Sequence, residues 1–374
     1  MNERSDDAVI GAGIVGLALA YTLARRGRRV TVFERSPHPR GASARNFGTL
    51  WPIGQPAGPR RATALRSVDI WKQVLTEARI WFAAAGSLHA AYHDDELQVL
   101  SEYASSDRLD AVPFEMLTGE QARQRCGQLR PDGLRGALWS PAEVQVNPRD
   151  VLRMLPEWLR AKWDVRFEWN VAVTTASSGV VRAGRRAWAC DRIWIAPGDD
   201  LQTLYPEAFA DLALRRCKLQ MMRTAPVPWT LGPILAAGLT LGHYESFAHC
   251  PSLPRLKARL ARDWPRHVAY GVHVLVAQHD RLHLVVGDSH EYDGDIEPFD
   301  KPSIDGLVLE YLNTFLTHTP VVIEQWHGTY VKHPYLPYCV VTPDENVTAL
   351  AGLGGHGMTL SFGLAEEIVR LHVD

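Results

Sequence analysis

Three features of the sequence predict an α/β chain in which a nucleotide-binding domain of βαβ type carries an inserted α+β domain on a mixed, largely antiparallel sheet. A glycine-rich turn, VIGAGIVG, stands directly between an apolar strand and a helix near the start of the chain. A second apolar strand runs into another glycine-rich turn and a helix at its end. Further apolar strands lie between them. At 374 residues the chain exceeds one ordinary domain of roughly 100–200 residues, so two domains, successive or intertwined, are expected.

Residues 8–10 read as a short buried strand, 14–26 as a helix and 29–33 as a second strand ending at Glu34, a βαβ unit of about 30 residues. Over 68–85 the spacing of Trp71, Val74, Leu75, Ala78, Trp81 and Phe82 is helical. A helix is expected after Asn147, with Pro148 in its first turn and Val151, Leu152, Leu155, Trp158 and Leu159 on one face. Residues 192–196 form an apolar strand stopped by Pro197 and Gly198. Strands are expected over 214–223, 267–277 and 282–286, with Asp280 and Arg281 turning between the last two. The chain closes with a strand over 347–351 and a helix over 358–371. The expected layout assigns 1–85, 146–205 and 330–374 to the nucleotide-binding domain, and 86–145 and 206–329 to a substrate-binding domain.

Within the first turn, Gly11 permits the tight bend, Gly13 lets a pyrophosphate approach the backbone, and Gly16 lets the helix pack on the strand. The pyrophosphate then meets free N–H groups and the positive end of the helix dipole. Glu34, about 20 residues on, can accept hydrogen bonds from a ribose diol and disfavours a 2′-phosphate, so NADP is not expected despite the neighbouring Arg35. The fingerprint itself serves FAD and NAD alike.

Charge argues against other classes. Lys and Arg (40) nearly balance Asp and Glu (42), which excludes the broad positive field that attracts nucleic acid. The 5 cysteines are scattered, without a CxxC pair, and read as small buried hydrophobes. The apolar run over 8–24 is not a signal or a membrane span: Glu3, Asp6 and Asp7 outnumber Arg4 before it, and it is short for a span. A soluble, cytoplasmic protein is expected. His267, His273, His279, His283, His290 and His318 show no HxxxH or HExxH spacing, so no metal site is expected.

The remaining glycine motifs resemble those of the D-amino acid oxidase and glycine oxidase superfamily of flavoproteins, over nearly the whole chain. GASARNFG, with Ser43, Arg45, Asn46 and Gly48, resembles the segment that wraps the flavin. Ala196 to Gly198 resembles the strand end that passes the cofactor, and Val173, placed in the strand before it, resembles a valine that contacts adenine. GLGGHGMT, with Gly352, Gly354, Gly355, His356, Gly357, Met358 and Thr359, resembles the turn and helix start beneath the ring. Independently of family, those glycines let backbone approach a flat ring, and the following helix would favour negative charge on reduced flavin. The strings SARNFGTLWPIGQ and GGHGMTLSFGLAEEI resemble a clade linked to phosphonate breakdown, which implies an aminoethylphosphonate-like amine as substrate. The resemblance implies FAD. Cys339 is out of step with the cysteine that tethers flavin in sarcosine oxidases, so the FAD is expected to be non-covalent. The oxygen-activating lysine of those enzymes has Val285 at the comparable place, which leaves oxygen or a carrier as electron acceptor.

Amine oxidation by flavin needs positioning, desolvation and a neutral amine, with no obligatory acid–base residue. The candidates are therefore anchors: Arg45, serving substrate or pyrophosphate; Tyr330, Lys332 and His333 before the last strand; and His243 and Tyr244 as a lid or sheet edge. His356 is expected near the ring. The rival readings are a 2-hydroxy acid dehydrogenase, a D-amino acid, glycine or sarcosine-type enzyme, and a flavin-binding module without turnover.

Overall fold

A computed structural model describes residues 4–106, 112–293 and 296–373; Glu3 lies outside them. Strand β1 (Ser5–Ile10) is the hub of the first sheet. It pairs in parallel with β2 (Val30–Glu34) on one side and with Arg186–Ile195 on the other, Ala8 facing both Thr31 and Ile193. Arg166–Trp169 extends the sheet beyond β2, and Val347–Ala351 pairs in parallel with the Ile193 end of the long strand. A strand flanked on both edges and covered on both faces must be apolar throughout its centre, and Ala8 and Val9 are fully buried.

Helix α1 (Ile14–Ala24) lies on this sheet, and the C-terminal helix Gly357–Val373 packs on α1 and on Pro59–Glu77. Phe362 presents its ring to Tyr21 at 5.6 Å and to Trp71 at 4.8 Å, both edge-on. The two longer helices approach so closely at Gly363 that a Cβ there would stand 2.4 Å from the carbonyl oxygen of Thr63.

The second large sheet is mixed and mostly antiparallel, and draws on Ser87–Ala91, Glu115–Thr118, Gly136–Ser140, Arg215–Pro226, Ile234–Ala236, Leu275–His279, His283–Gly287, Glu291–Asp293 and Val322–Lys332. The two sheets thus take different stretches of chain. Asp280 and Arg281, with φ of 55° and 57°, make the expected turn, and His279 faces His283 across the hairpin.

Three expectations need correction. The helix expected over 68–85 is Pro59–Glu77. Arg79 adopts a left-handed φ of 54°, the N–H of Ile80 closes on the carbonyl of Leu75, and Phe82–Ala83 pairs with Val144–Val146 instead. The strand expected over 267–277 starts only at Leu275: Pro265–Ala269 is a short helix, followed by Gly271 at a φ of 56°. Val173 lies in a link between strands, although its side chain is buried. The helix Pro148–Trp163 forms as expected, because the Asn147 side chain accepts the Arg149 N–H at 3.1 Å and Pro148 occupies the first turn.

Two outcomes follow from this packing. Gly363→Val forces apart two backbones that cannot yield, and should lower the stability by roughly 1–3 kcal/mol in urea unfolding. His89, in the second sheet between Trp51 and Phe247, is fully buried with neither ring nitrogen bonded among the described residues, and burial pushes its pKa from 6.5 to about 3. The unfolded imidazole therefore takes a proton below pH 6.5 that the native one refuses, so its contribution to stability is complete above 6.5 and lost as the pH falls. His89→Phe should show a smaller drop in urea midpoint than the parent between about pH 7.5 and about pH 5.

Candidate active site

The turn after β1 separates glycines that the fold requires from one that it does not. Gly11, at a φ of +101°, would place a Cβ 2.4 Å from the Ala196 carbonyl, and a Cβ on Gly16 would fall 1.8 Å from the Gly11 carbonyl. Both are dictated by backbone against backbone. A Cβ on Gly13 would meet no backbone, only the Ser43 Oγ at 3.2 Å, a tight contact with a side chain that can turn. Ser43 Oγ accepts the Ile14 N–H at 3.0 Å, at the amino end of α1. The Glu34 carboxylate is fixed by two backbone donors, the N–H of Ala12 at 3.1 Å and of Ser36 at 3.0 Å, at the end of β2.

These groups line one cavity of about 860 Å³, together with Arg35, Val173, Ala196 and Gly198. Arg35 pairs with Asp200 at its rim. The C-terminal motif forms another part of the wall: Gly354–His356 is a 3₁₀ turn leading into the helix Gly357–Val373, and Gly352, Met358 and Thr359 also border the cavity. A Cβ on Gly357 would meet nothing within 4 Å, and one on Gly355 would come no closer than 3.9 Å to Tyr330 Oη, so backbone faces open space there. The volume lies within the range of pockets that enclose an extended ligand.

A model of the FAD dependent oxidoreductases, the DAO family, matches residues 6–371. The chain belongs to this family. Glycine oxidase of Geobacillus kaustophilus is 26% identical over 240 residues, 61% of this chain and 64% of that protein, so the match spans less than two thirds of the relative. Its solved structure superposes with a TM-score of 0.79 at 21% identity, covering 100% of this chain and 95% of that one. L-proline dehydrogenase from P. horikoshii gives a TM-score of 0.80 at 18% identity, covering 100% and 94%. L-α-glycerophosphate oxidase from Mycoplasma pneumoniae, solved with FAD bound, gives 0.73 at 17%, covering 99% and 94%. At these identities the structures establish the shared fold.

FAD is the cofactor of this family, and the cavity fits it: a side-chain-free turn at Gly13, a carboxylate held in place at Glu34, and bare backbone at Gly355 and Gly357. Bound there, FAD supplies an acceptor for hydride and electrons. Among the described residues no helix is long and apolar enough to cross a membrane.

Several expected contacts take other roles. Gly48 is not on the cavity wall; its φ of +67° and the 2.0 Å that would separate its Cβ from the Val146 carbonyl make it a packing residue. Asn46 borders the cavity but its side chain clips the loop, donating to the carbonyls of Ala42 and Ser43 and accepting the Gly48 N–H at 2.7 Å. Arg45 also borders it, with Nη1 donating to the His327 carbonyl at 3.2 Å. His333 Nδ1 accepts the N–H groups of Tyr335 and Leu336, which ties a turn at the rim.

Tyr244, Tyr330 and Lys332 all border the cavity, the last two from the strand Val322–Lys332 of the second sheet, and Lys332 pairs with no carboxylate among the described residues. His356 joins them, its Nδ1 3.0 Å from Gln55 Nε2, and burial pushes its pKa down to about 3. His243 is there as anticipated. Asp288, His273 and His290 were not anticipated, nor were Trp51, Gln55 and Arg60. The signal for the first three was the hairpin itself: the register that pairs Leu275 with Gly287 carries His273 beside Asp288, and their backbones exchange hydrogen bonds of 3.1 and 3.0 Å.

Gly13→Val should still fold, since its Cβ crowds only the Ser43 hydroxyl and no backbone, yet lose FAD. The check is flavin content against thermal stability of the apoprotein, and a yellow, fully loaded variant would contradict the cradle.

Proposed function

We propose that this protein oxidises the C–N bond of a small amine bearing an anionic group, with non-covalent FAD as hydride acceptor, and that aminoethylphosphonate or its N-methyl form is such a substrate. The product is an imine, which water converts to an aldehyde and an amine. The observation that carries the reading is the half-buried Lys332, unpaired among the described residues, on a cavity wall that also carries Tyr244, Tyr330, His243, His273 and His290, whereas Arg60 on the same cavity pairs with Glu245. A lone cation without a partner wants an anion. The same wall suits the neutral form of an amine, because burial disfavours ammonium next to Lys332. His356 and Tyr330 line it without offering a strong base. We assign the anion to Lys332 in preference to Arg45, whose guanidinium already serves the His327 carbonyl.

The names of the relatives, glycine oxidase and L-proline dehydrogenase, accord with amine chemistry, so a glycine or sarcosine-type activity is the second reading. Hydroxyl oxidation, as the name of the glycerophosphate enzyme describes, is the third. Val285 is buried in the second sheet, away from the cavity wall, and the electron acceptor we infer is oxygen or a carrier.

Anaerobic mixing of the FAD-loaded protein with each candidate separates these readings by bleaching of the flavin absorbance. Aminoethylphosphonate or its N-methyl form should bleach it faster than glycine, sarcosine or a 2-hydroxy acid at equal concentration; faster bleaching by the carboxylates would replace the phosphonate reading. Readmitting air then tests oxygen as acceptor. Turnover at limiting amine should rise with pH as the ammonium form is depleted. Lys332→Ala should raise KM by about tenfold or more, with a smaller change in kcat. Acid should release intact FAD, and flavin left on the precipitate would show a covalent link.

A further inference from the structure

Three imidazoles that amine oxidation does not itself require meet on the wall of this cavity. His243 ends the short helix Gly238–His243, His273 precedes the strand Leu275–His279, and His290 follows the strand His283–Gly287. Their ligating nitrogens all lie within 4.8 Å of one another. His243 and His273 stack face to face, 3.8 Å apart and 2° from parallel, and His290 lies 4.5 and 5.0 Å from them.

This arrangement suits a cation poorly. The lone pairs of parallel stacked rings lie in parallel planes, so they do not converge on one ion. Lys332 is close enough to act on both His243 and His290, and adds repulsion against any dication. An anion meets the opposite conditions. His290 Nδ1 stands 3.1 Å from the Gly271 carbonyl, which only accepts, so the proton is on Nδ1 and Nε2 is bare. His243 forms no hydrogen bond among the described residues.

The facing charged and titratable groups include Arg60, which acts on His356 and pairs with Glu245, and Arg45, which borders the same cavity. Tyr244 follows His243 on the chain; Asp288 Oδ1 lies 3.0 Å from His273 Nδ1; Tyr292 and Tyr330 lie 6.2 and 6.3 Å from His290; Lys332 and His356 act on His243. Burial lowers the pKa of His273, and that of His290 to about 4, and raises the Asp288 carboxyl well above its usual range; His243 is exposed to the cavity, and the lowering there comes from its enclosure by the surrounding walls and from the nearby His273, His290 and Lys332. Lys332 is the side chain that brings this cluster a positive charge, while burial opposes charge on the imidazoles and on Asp288. A carboxylate is matched by that charge alone. A tetrahedral dianion needs a second one, which an imidazole acquires by taking a proton from water.

We propose that His243, His273 and His290, with Lys332 and Tyr330, form a proton-linked receptor for a tetrahedral dianion, and that the anionic group of the substrate docks there. The proposal rests on the amine reading above for its biological ligand but not for its test.

Sulfate is the decisive probe, since it has no proton to gain near neutrality and any proton taken up belongs to the protein. FAD-loaded protein is titrated with sulfate, methylphosphonate and acetate, with binding followed by the flavin spectrum and proton uptake by calorimetry in buffers of different ionisation enthalpy. Sulfate and methylphosphonate should bind, and sulfate affinity should fall by up to about tenfold per pH unit between about pH 6 and about pH 8, with about one proton taken up. Acetate should show neither slope nor uptake. His290→Asn and His243→Asn, accepted only if FAD content is retained, should weaken sulfate at least tenfold and flatten the slope. Sulfate affinity independent of pH in the parent protein, or zinc binding tightly to the cluster in place of sulfate, would overturn the proposal. If sulfate fails while amines still bleach the flavin, the receptor is wrong and the amine reading stands. If sulfate binds with the expected slope and no amine bleaches the flavin, the receptor stands and the amine reading falls.

Discussion

The contact on which the rest of this structure depends is backbone against backbone at the start of α1. The Gly11 carbonyl occupies the place where a side chain on Gly16 would begin, and the Ala196 carbonyl crowds Gly11 in the same way. Three chain segments, β1, α1 and the strand Arg186–Ile195, can therefore converge at van der Waals distance. Because β1 is the hub of the sheet, this point also fixes where the C-terminal helix lies, and Gly363 lets that helix press against Pro59–Glu77. The amino ends of α1 and of the C-terminal helix are thereby brought to one cavity, which is what a long, anionic dinucleotide requires.

A second constraint is desolvation. The second sheet and its connections supply the cavity with imidazoles and phenols, and burial works against charge on His273, His290 and Tyr330. Such a wall is quiet toward a neutral ligand and responsive toward a charged one, since every charge introduced is weakly screened there. The same physics makes Lys332 conspicuous. A half-buried ammonium without a carboxylate is costly to hold, and an anionic ligand is the natural compensation.

Packing roles and ligand roles alternate closely along the chain. In the segment from Ser43 to Gly48, the serine caps a helix, the asparagine ties the loop, and Gly48 yields space to the Val146 carbonyl. Helix Pro59–Glu77 stops where Arg79 turns left-handed, although the apolar spacing continues through Phe82, because that residue pairs in a small sheet instead. Side-chain spacing records burial, and a helix and a strand at the same edge of a core can bury the same residues.

The sequence by itself determined the nucleotide-binding half: the glycine turn with Glu34, the closing strand at Val347 and the glycine-rich start of the last helix are short-range patterns. Their physics is local, since a turn, a cap or a helix amino end is made by residues a few positions apart. The hairpin over Asp280 and Arg281 was legible for the same reason. Only the tertiary structure decided that His243, His273 and His290 meet, and that Lys332 faces them. These residues come from four separate stretches of chain, and spacing along a chain carries no information about distance across a sheet until the register is known. The sequence also left Gly13 and Gly48 looking alike, whereas the surrounding backbone makes the first a cradle for a ligand and the second a point of close packing.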